Sequence, residues 1–434
     1  MSNPQPESTN RYIRPVLITV IGLTLISGLT IFFTFTQGLY RPPSLPETPI
    51  VIQGAQVFDG DSLLPGTPTV VIEGEAIACL GKGCEVPAEA QVIDGTGLTL
   101  MPGLIDGYVR FYAPTQENLS QGELSGFLSY VKQRPDVRRN LLAAGVTSVF
   151  SAGDLPQNIL LLKEQQAEGE MAGPRLLCAG PDFTAPDGFP QKPLYAGNET
   201  LEEEGVRTQT DPAAAQQEAA KLLSYGLDAV KLVYDDLDGR VPKLDAKVMK
   251  AVIQVAASEG SYAVVRCGSN EDLRTAVQAG ARVVAYGPAA PLDSSTIALL
   301  AQESVVYYPL MASRSRADLP RLRENVAALR AAGVSVGLGS APNGESMQFG
   351  ESLLREVELQ AGSGRAPLEL LQQLTRAAAR SLRIDDRTGH LAEGLQADLV
   401  LLRGNPLEDL DALGAVQWVL QGGRIMVADG ELQD

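Results

Sequence analysis

From residue 136 to residue 340, short Val-rich runs alternate with longer segments of helical character, and most of those segments stop at glycine. Val146-Thr-Ser-Val-Phe follows Asp136–Ala144, and Ala229-Val-Lys-Leu-Val-Tyr follows Ala213–Tyr225. Ala263-Val-Val-Arg follows Asp245–Ala257, Val283-Val-Ala-Tyr follows Glu271–Ala279, and Val334-Ser-Val-Gly-Leu follows Leu319–Ala332. Gly145, Gly226, Gly280 and Gly333 sit where a helix needs a residue free to turn left-handed. Strands that alternate with helices predict a parallel sheet with helices packed on it. About 280 residues of this pattern suit an eightfold barrel. A doubly wound open sheet is the alternative, and no glycine-rich nucleotide loop favours it.

Both flanks of this region read differently. Val51-Ile-Gln-Gly-Ala, Thr69-Val-Val-Ile-Glu-Gly, Ala76-Ile-Ala-Cys-Leu and Gln91-Val-Ile-Asp-Gly are short strands split by Gly, Pro and Asp. Ala397-Asp-Leu-Val-Leu-Leu and Val416-Gln-Trp-Val-Leu-Gln-Gly-Gly-Arg-Ile repeat the style near the other end, so the two ends can pair into one β domain. Ahead of them, Pro15–Thr36 carries no charge. Its 22 residues would span roughly 33 Å as a helix, enough to cross a hydrocarbon core of about 30 Å. Arg11 and Arg14 precede the run and Arg41 follows it, which puts the N-terminus inside and the remaining chain across the membrane. A cleaved signal peptide is the competing reading, but no small-x-small site follows the run. Arg41-Pro-Pro-Ser-Leu-Pro-Glu-Thr-Pro reads as a stiff spacer lifting the domain off the bilayer. The expected organisation is a cytoplasmic tail (1–14), a transmembrane helix (15–36), a Pro-rich linker (37–49), a first β part (50–100), the barrel (101–385) and a second β part (386–434).

A formal charge of -17 makes nucleic acid an unlikely partner. The chain holds one histidine, so a histidine-rich metal site is excluded by counting. None of its four cysteines forms a CxxC pair. Cys79 and Cys84 bracket a Leu-Gly-Lys-Gly turn, which leaves open either a small disulfide in an oxidising compartment or two unpaired small hydrophobes. Cys267, beside Arg266, is expected to be a packed core thiol.

Gly95-Thr-Gly-Leu-Thr-Leu-Met-Pro-Gly-Leu-Ile-Asp106 resembles the segment entering the first barrel strand of the amidohydrolase superfamily, in its imidazolonepropionase and prolidase-like branch. Ala144-Gly-Val-Thr-Ser-Val, Gly173-Pro-Arg-Leu-Leu-Cys-Ala-Gly, Asp228-Ala-Val-Lys, Ala279-Gly-Ala-Arg-Val-Val, Gly333-Val-Ser-Val-Gly-Leu-Gly-Ser and Gly394-Leu-Gln-Ala-Asp-Leu-Val-Leu-Leu follow in that family's order. The resemblance implies a TIM-type (β/α)8 barrel beside a composite β-sandwich built from both ends of the domain. It also implies one or two divalent metals at the C-terminal mouth. The positions that would bind them have changed: Tyr108 and Arg110 stand for His-x-His, Arg266 and Tyr286 for two further histidines, and Ala341 for an aspartate. Lys231 matches the lysine that relatives often carbamylate to bridge two metals, while His390 falls outside every such position.

Guanidinium offers no lone pair to a metal, so these substitutions predict no metal cofactor and no metal-activated water. Lys231 is the one catalytic candidate, as an amine nucleophile or base. Tyr108, Arg110, Lys231, Arg266, Tyr286 and Ala341 are expected to line a pocket at the former metal site. That pocket either captures a small anion or has its arginines matched by acids such as Asp106, Asp154, Asp235 or Asp236. The function expected is a membrane-anchored, non-catalytic relative, displayed outside the cytoplasm, binding a small anionic ligand or a protein partner. The alternative is an atypical hydrolase of amide or other non-peptide C–N bonds.

Overall fold

The computed structural model describes residues 40–111, 136–341 and 349–433. Eight parallel strands form the central sheet: Leu104–Val109, Val146–Ala152, Arg175–Phe183, Ala229–Tyr234, Ala263–Cys267, Val283–Tyr286, Val306–Tyr308 and Ser335–Val336, here barrel strands 1 to 8. Each pairs with the next in chain order, as the alternating pattern requires. Gly107 N donates to Leu338 O (3.0 Å) and Ala341 N donates to Tyr108 O (2.9 Å), which joins the last strand to the first. The expected helices form within a residue or so of their predicted ends, among them Pro212–Ser224, Ala246–Ser258, Asn270–Gln278 and Leu319–Ala331. Asp211, Asp245 and Ser269 cap three of them by accepting backbone N–H bonds. Strand 7 and the helix Ser294–Gln302 before it were not singled out from the sequence; three strand residues leave little pattern to read.

The two flanks do form one β domain. Ile50–Gln53, Thr69–Glu73, Ala76–Gly81 and Gln91–Asp94 make a four-stranded sheet. In a second sheet of six strands, Leu98–Pro102 pairs antiparallel with Leu399–Arg403, some 300 residues away, with Met101 opposite Val400. Ile50, Ile52, Val70 and Ile72 from one sheet share a buried cluster with Leu100, Leu399 and Leu401 from the other. Covering that many aliphatic side chains is what holds the two chain ends together.

The apolar run 15–36 lies outside the described residues. Among the described residues no helix is long and apolar enough to cross a membrane. The Pro-rich stretch differs from its expectation as a free spacer. Tyr40 is 1% exposed, its carbonyl accepts from Ala172 N (2.6 Å), and Arg139 lies over its ring at 4.9 Å. From Tyr40 onward the chain lies along the domain. Proline lacks the N–H that such a surface strap would otherwise leave unpaired, and its fixed φ keeps the strap extended. Cys79 and Cys84 are joined as a disulfide, with 5.8 Å between Cα atoms. Cys178 and Cys267 are buried, and Cys267 belongs to the layer between barrel and helices, away from the mouth.

Candidate functional site

The predicted pocket residues gather at the C-terminal ends of the strands, but they divide into two clusters. In the first, Lys231 of strand 4 points its Nζ at Asp182 Oδ1 (3.0 Å) and donates to Ala152 O (3.1 Å). Asp182 is fully buried, near the end of strand 3, directly opposite Lys231 in the sheet register. Arg110 follows strand 1, lies 3.7 Å from the other Asp182 oxygen, and donates to Gly153 O (3.0 Å) and to Tyr195 Oη (2.6 Å). One carboxylate therefore serves two cations. Tyr108 sits under them, its ring centroid 5.6 Å from Lys231 Nζ. Ala341 closes this side through its hydrogen bond to Tyr108 O. Gly153, with φ of +98°, is required here: a Cβ would come within 2.8 Å of Lys231 Nζ and 2.9 Å of Asp182 Oδ1.

The second cluster lies across strands 4 to 7. Arg266 Nε donates to Asp235 Oδ2 (3.0 Å), and the guanidinium carbon lies 3.6 Å from the Tyr286 ring centroid and 4.5 Å from that of Phe189. Arg314, in the loop after strand 7, lies 4.5 Å over the same Tyr286 ring and donates to Tyr286 O (3.0 Å) and Gly287 O (3.2 Å). Tyr286 has φ of +77°, a conformation that breaks the strand's alternation. Its neighbour Ala285 is in the interior cluster, yet its own ring also reaches the mouth. Burial pushes the Tyr286 phenol up, but Arg266 and Arg314 beside it outweigh burial and the net shift is downward.

Of the four acids expected as partners, Asp235 meets an arginine of the pocket. Asp106 Oδ1 instead accepts from Ser340 N (2.9 Å) and Tyr108 N (3.3 Å), and burial pushes its carboxyl up to about 7. Asp154 Oδ2 accepts from Phe111 N (3.0 Å) and from the Ser151 hydroxyl, and Asp236 pairs with Lys243 at 3.1 Å. Asp182 and Arg314 were missed. A lysine buried in a barrel interior needs a carboxylate on a neighbouring strand, and the sequence offers Asp182 at the end of the preceding one. Arg314 lies in a loop without periodicity and left no such signal. His390 packs against Gly60 where the chain returns to the sandwich, outside both clusters. Among the described residues, no three His, Cys, Asp or Glu side chains come together in a metal-holding group.

A family model described as the amidohydrolase family matches residues 99–426. The dihydroorotase of Geotalea daltonii is 40% identical over 68 residues, which is 16% of this chain and 16% of that protein. The dihydroorotase of Streptococcus pyogenes serotype M3 is 37% identical over 79 residues, 18% of each. The chain thus matches under a fifth of the length of these curated relatives. Whole-domain likeness comes from solved structures. A Xaa-Pro dipeptidase with bound methionine superposes with a TM-score of 0.74 at 21% identity, over 87% of this chain and 99% of that one. Molinate hydrolase gives 0.75 at 20% identity, over 89% and 95%. Identities this low show the fold. The family model, spanning three quarters of the sequence from the sandwich strand before barrel strand 1 to the last long strand of the second sheet, shows the rest: this chain belongs to the amidohydrolase family.

Proposed function

We propose that this chain is a membrane-anchored, non-catalytic member of the family, displayed outside the cytoplasm, whose barrel mouth binds a small anionic ligand. The observation that carries the reading is the ion cluster of Lys231, Asp182 and Arg110. The divalent metal of the fold family does not fit the groups present. Lys231 already spends its Nζ on Asp182 at 3.0 Å and on Ala152 O at 3.1 Å. Arg110 and Arg266 stay protonated and would repel a dication, and Ala341 has no donor atom. The reading therefore carries no metal-activated water.

The disulfide between Cys79 and Cys84 supports the extracytoplasmic side of the reading, because such pairs persist in oxidising compartments. The charge-free run 15–36 supports the anchor. The competing reading is an atypical hydrolase of amide or other non-peptide C–N bonds, favoured by the whole-barrel likeness to hydrolases.

Metal analysis of the full-length chain, purified in detergent, separates the two. The expected result is no stoichiometric zinc, manganese or iron, and no change on Lys231→Ala. A stoichiometric metal that disappears in Lys231→Ala would overturn the proposal.

A further inference from the structure

We propose that the strand 5 to 7 side of the mouth is an oxyanion site, in which Arg266 and Arg314, set over the ring of Tyr286, grip the carboxylate or phosphate of a small ligand. This rests on the binding reading above and places the ligand on the Arg266 and Tyr286 side of the mouth, because Lys231 and Arg110 on the other side are already engaged by Asp182, Ala152 O, Gly153 O and Tyr195 Oη.

A cavity of about 880 Å³ opens here, between the ends of strands 4 to 7 and the loop carrying Arg314. That is within the usual range for small-molecule pockets. The two guanidinium groups lie 3.6 and 4.5 Å from one ring centroid. Stacking uses the face of a guanidinium and leaves its donor-bearing edge free, and that edge matches two oxygens of a carboxylate or phosphate.

The charge balance of the floor leaves room for an anion. Asp235 engages Arg266 through Nε and is itself held by Leu237 N (2.8 Å), and the Tyr286 side chain also hydrogen-bonds Arg266. Arg314 spends one terminal nitrogen on the carbonyls of Tyr286 and Gly287 and has no carboxylate within ion-pair distance among the described residues. Asp235 pairs with Arg266, which leaves Arg314 as the cation of this floor without an ion-pair partner among the described residues. Tyr286 is held at φ of +77°, a strained value for an aromatic residue, and its ring is what places both cations.

Around the floor, Asp238, Glu271 and the half-exposed Asp318 share the lining with Arg240 and Arg274, so the entrance carries charges of both signs. A compact ligand with one oxyanion head and a neutral or cationic body can pass the rim and reach the floor.

The test is calorimetric titration of the full-length chain in detergent with inorganic phosphate and, separately, with N-acetylglycine, both against chloride at matched ionic strength. Saturable one-site binding of at least one probe is expected, and whichever binds tells a phosphate head from a carboxylate head. Arg314→Gln should weaken it about tenfold or more, the usual worth of a charge-assisted hydrogen bond. Asp235→Asn should tighten it by removing the competing carboxylate, and that variant decides the matter if Arg314→Gln fails to fold. Arg355→Gln, on an exposed helix face, should change nothing. Failure of both probes to saturate, unchanged affinity in Arg314→Gln, or no tightening in Asp235→Asn overturns the site. A metal found at Lys231 would sink the non-catalytic reading even with anion binding intact; a metal-free chain that binds neither probe would sink this site alone.

Discussion

Asp182→Asn removes the one carboxylate shared by Lys231 and Arg110 while keeping its shape. Asp182 and Lys231 are 0% and 3% exposed, so water cannot compensate for the loss. At the 3.0 Å separation, and an effective dielectric of about 20, the Coulomb attraction is about 5.5 kcal/mol. Desolvation offsets part of this, and breaking a buried pair from one side usually costs about 3–5 kcal/mol. At about 1.2 °C per kcal/mol for a folded part of about 390 residues, the melting midpoint should fall by about 4–6 °C. Thermal and urea unfolding followed by circular dichroism would measure it. Lys231→Met in the same background should recover much of the loss, because the orphaned ammonium is gone. The sign discriminates between chemical states of the lysine. Were Lys231 carbamylated, it would be an anion facing Asp182, and Asp182→Asn would stabilise the fold. A stabilising or neutral Asp182→Asn, or a double variant no better than the single one, would refute the ion-cluster account.

Three further outcomes concern Asp106 and the cysteines. The Asp106 carboxyl, pushed up to about 7 by burial, takes up a proton on folding between its unfolded value near 3.8 and that point. Its contribution is therefore fully present below about pH 4 and is lost as pH rises towards 7, on the order of 4 kcal/mol. Comparing unfolding free energies of wild type and Asp106→Asn across this window should show the steeper slope in the former, the part due to buried Glu356 being common to both. Alkylation of the unfolded chain without reductant should label Cys178 and Cys267 but spare Cys79 and Cys84. The double variant Cys79→Ser/Cys84→Ser should lose about 2 kcal/mol, the loop-closure value for so short a ring.

The barrel was legible because most of its strands and helices, strand 7 and the helix before it excepted, carry a pattern of their own. Strand runs such as Ala229–Tyr234 are apolar on both faces, and the helices between them stop at Gly226, Gly280 and Gly333. The composite sandwich was legible from style alone, since strands with one buried face recur only at the two ends. The site was legible in membership and not in pairing. Alternation along strand 1 predicts Tyr108 and Arg110 on one face, but which acid meets which cation depends on register between strands. Lys231 opposite Asp182 is a fact of that register, complicated by an irregularity between Ala229 and Lys231. Tyr286 reaches the mouth by a positive φ that no pattern announces.

The seat taken by Tyr40 has an orienting consequence. It is wedged beside Ala172, at the N-terminal ends of strands 2 and 3, the underside of the barrel. Four peptide units separate Thr36 from Tyr40, a reach of roughly 14 Å at full extension. If the apolar run is embedded as proposed, so short a leash keeps the barrel's base against the lipid headgroups and turns its open end towards the surrounding medium. The cavity would then meet solutes arriving from bulk solution before anything resident in the bilayer.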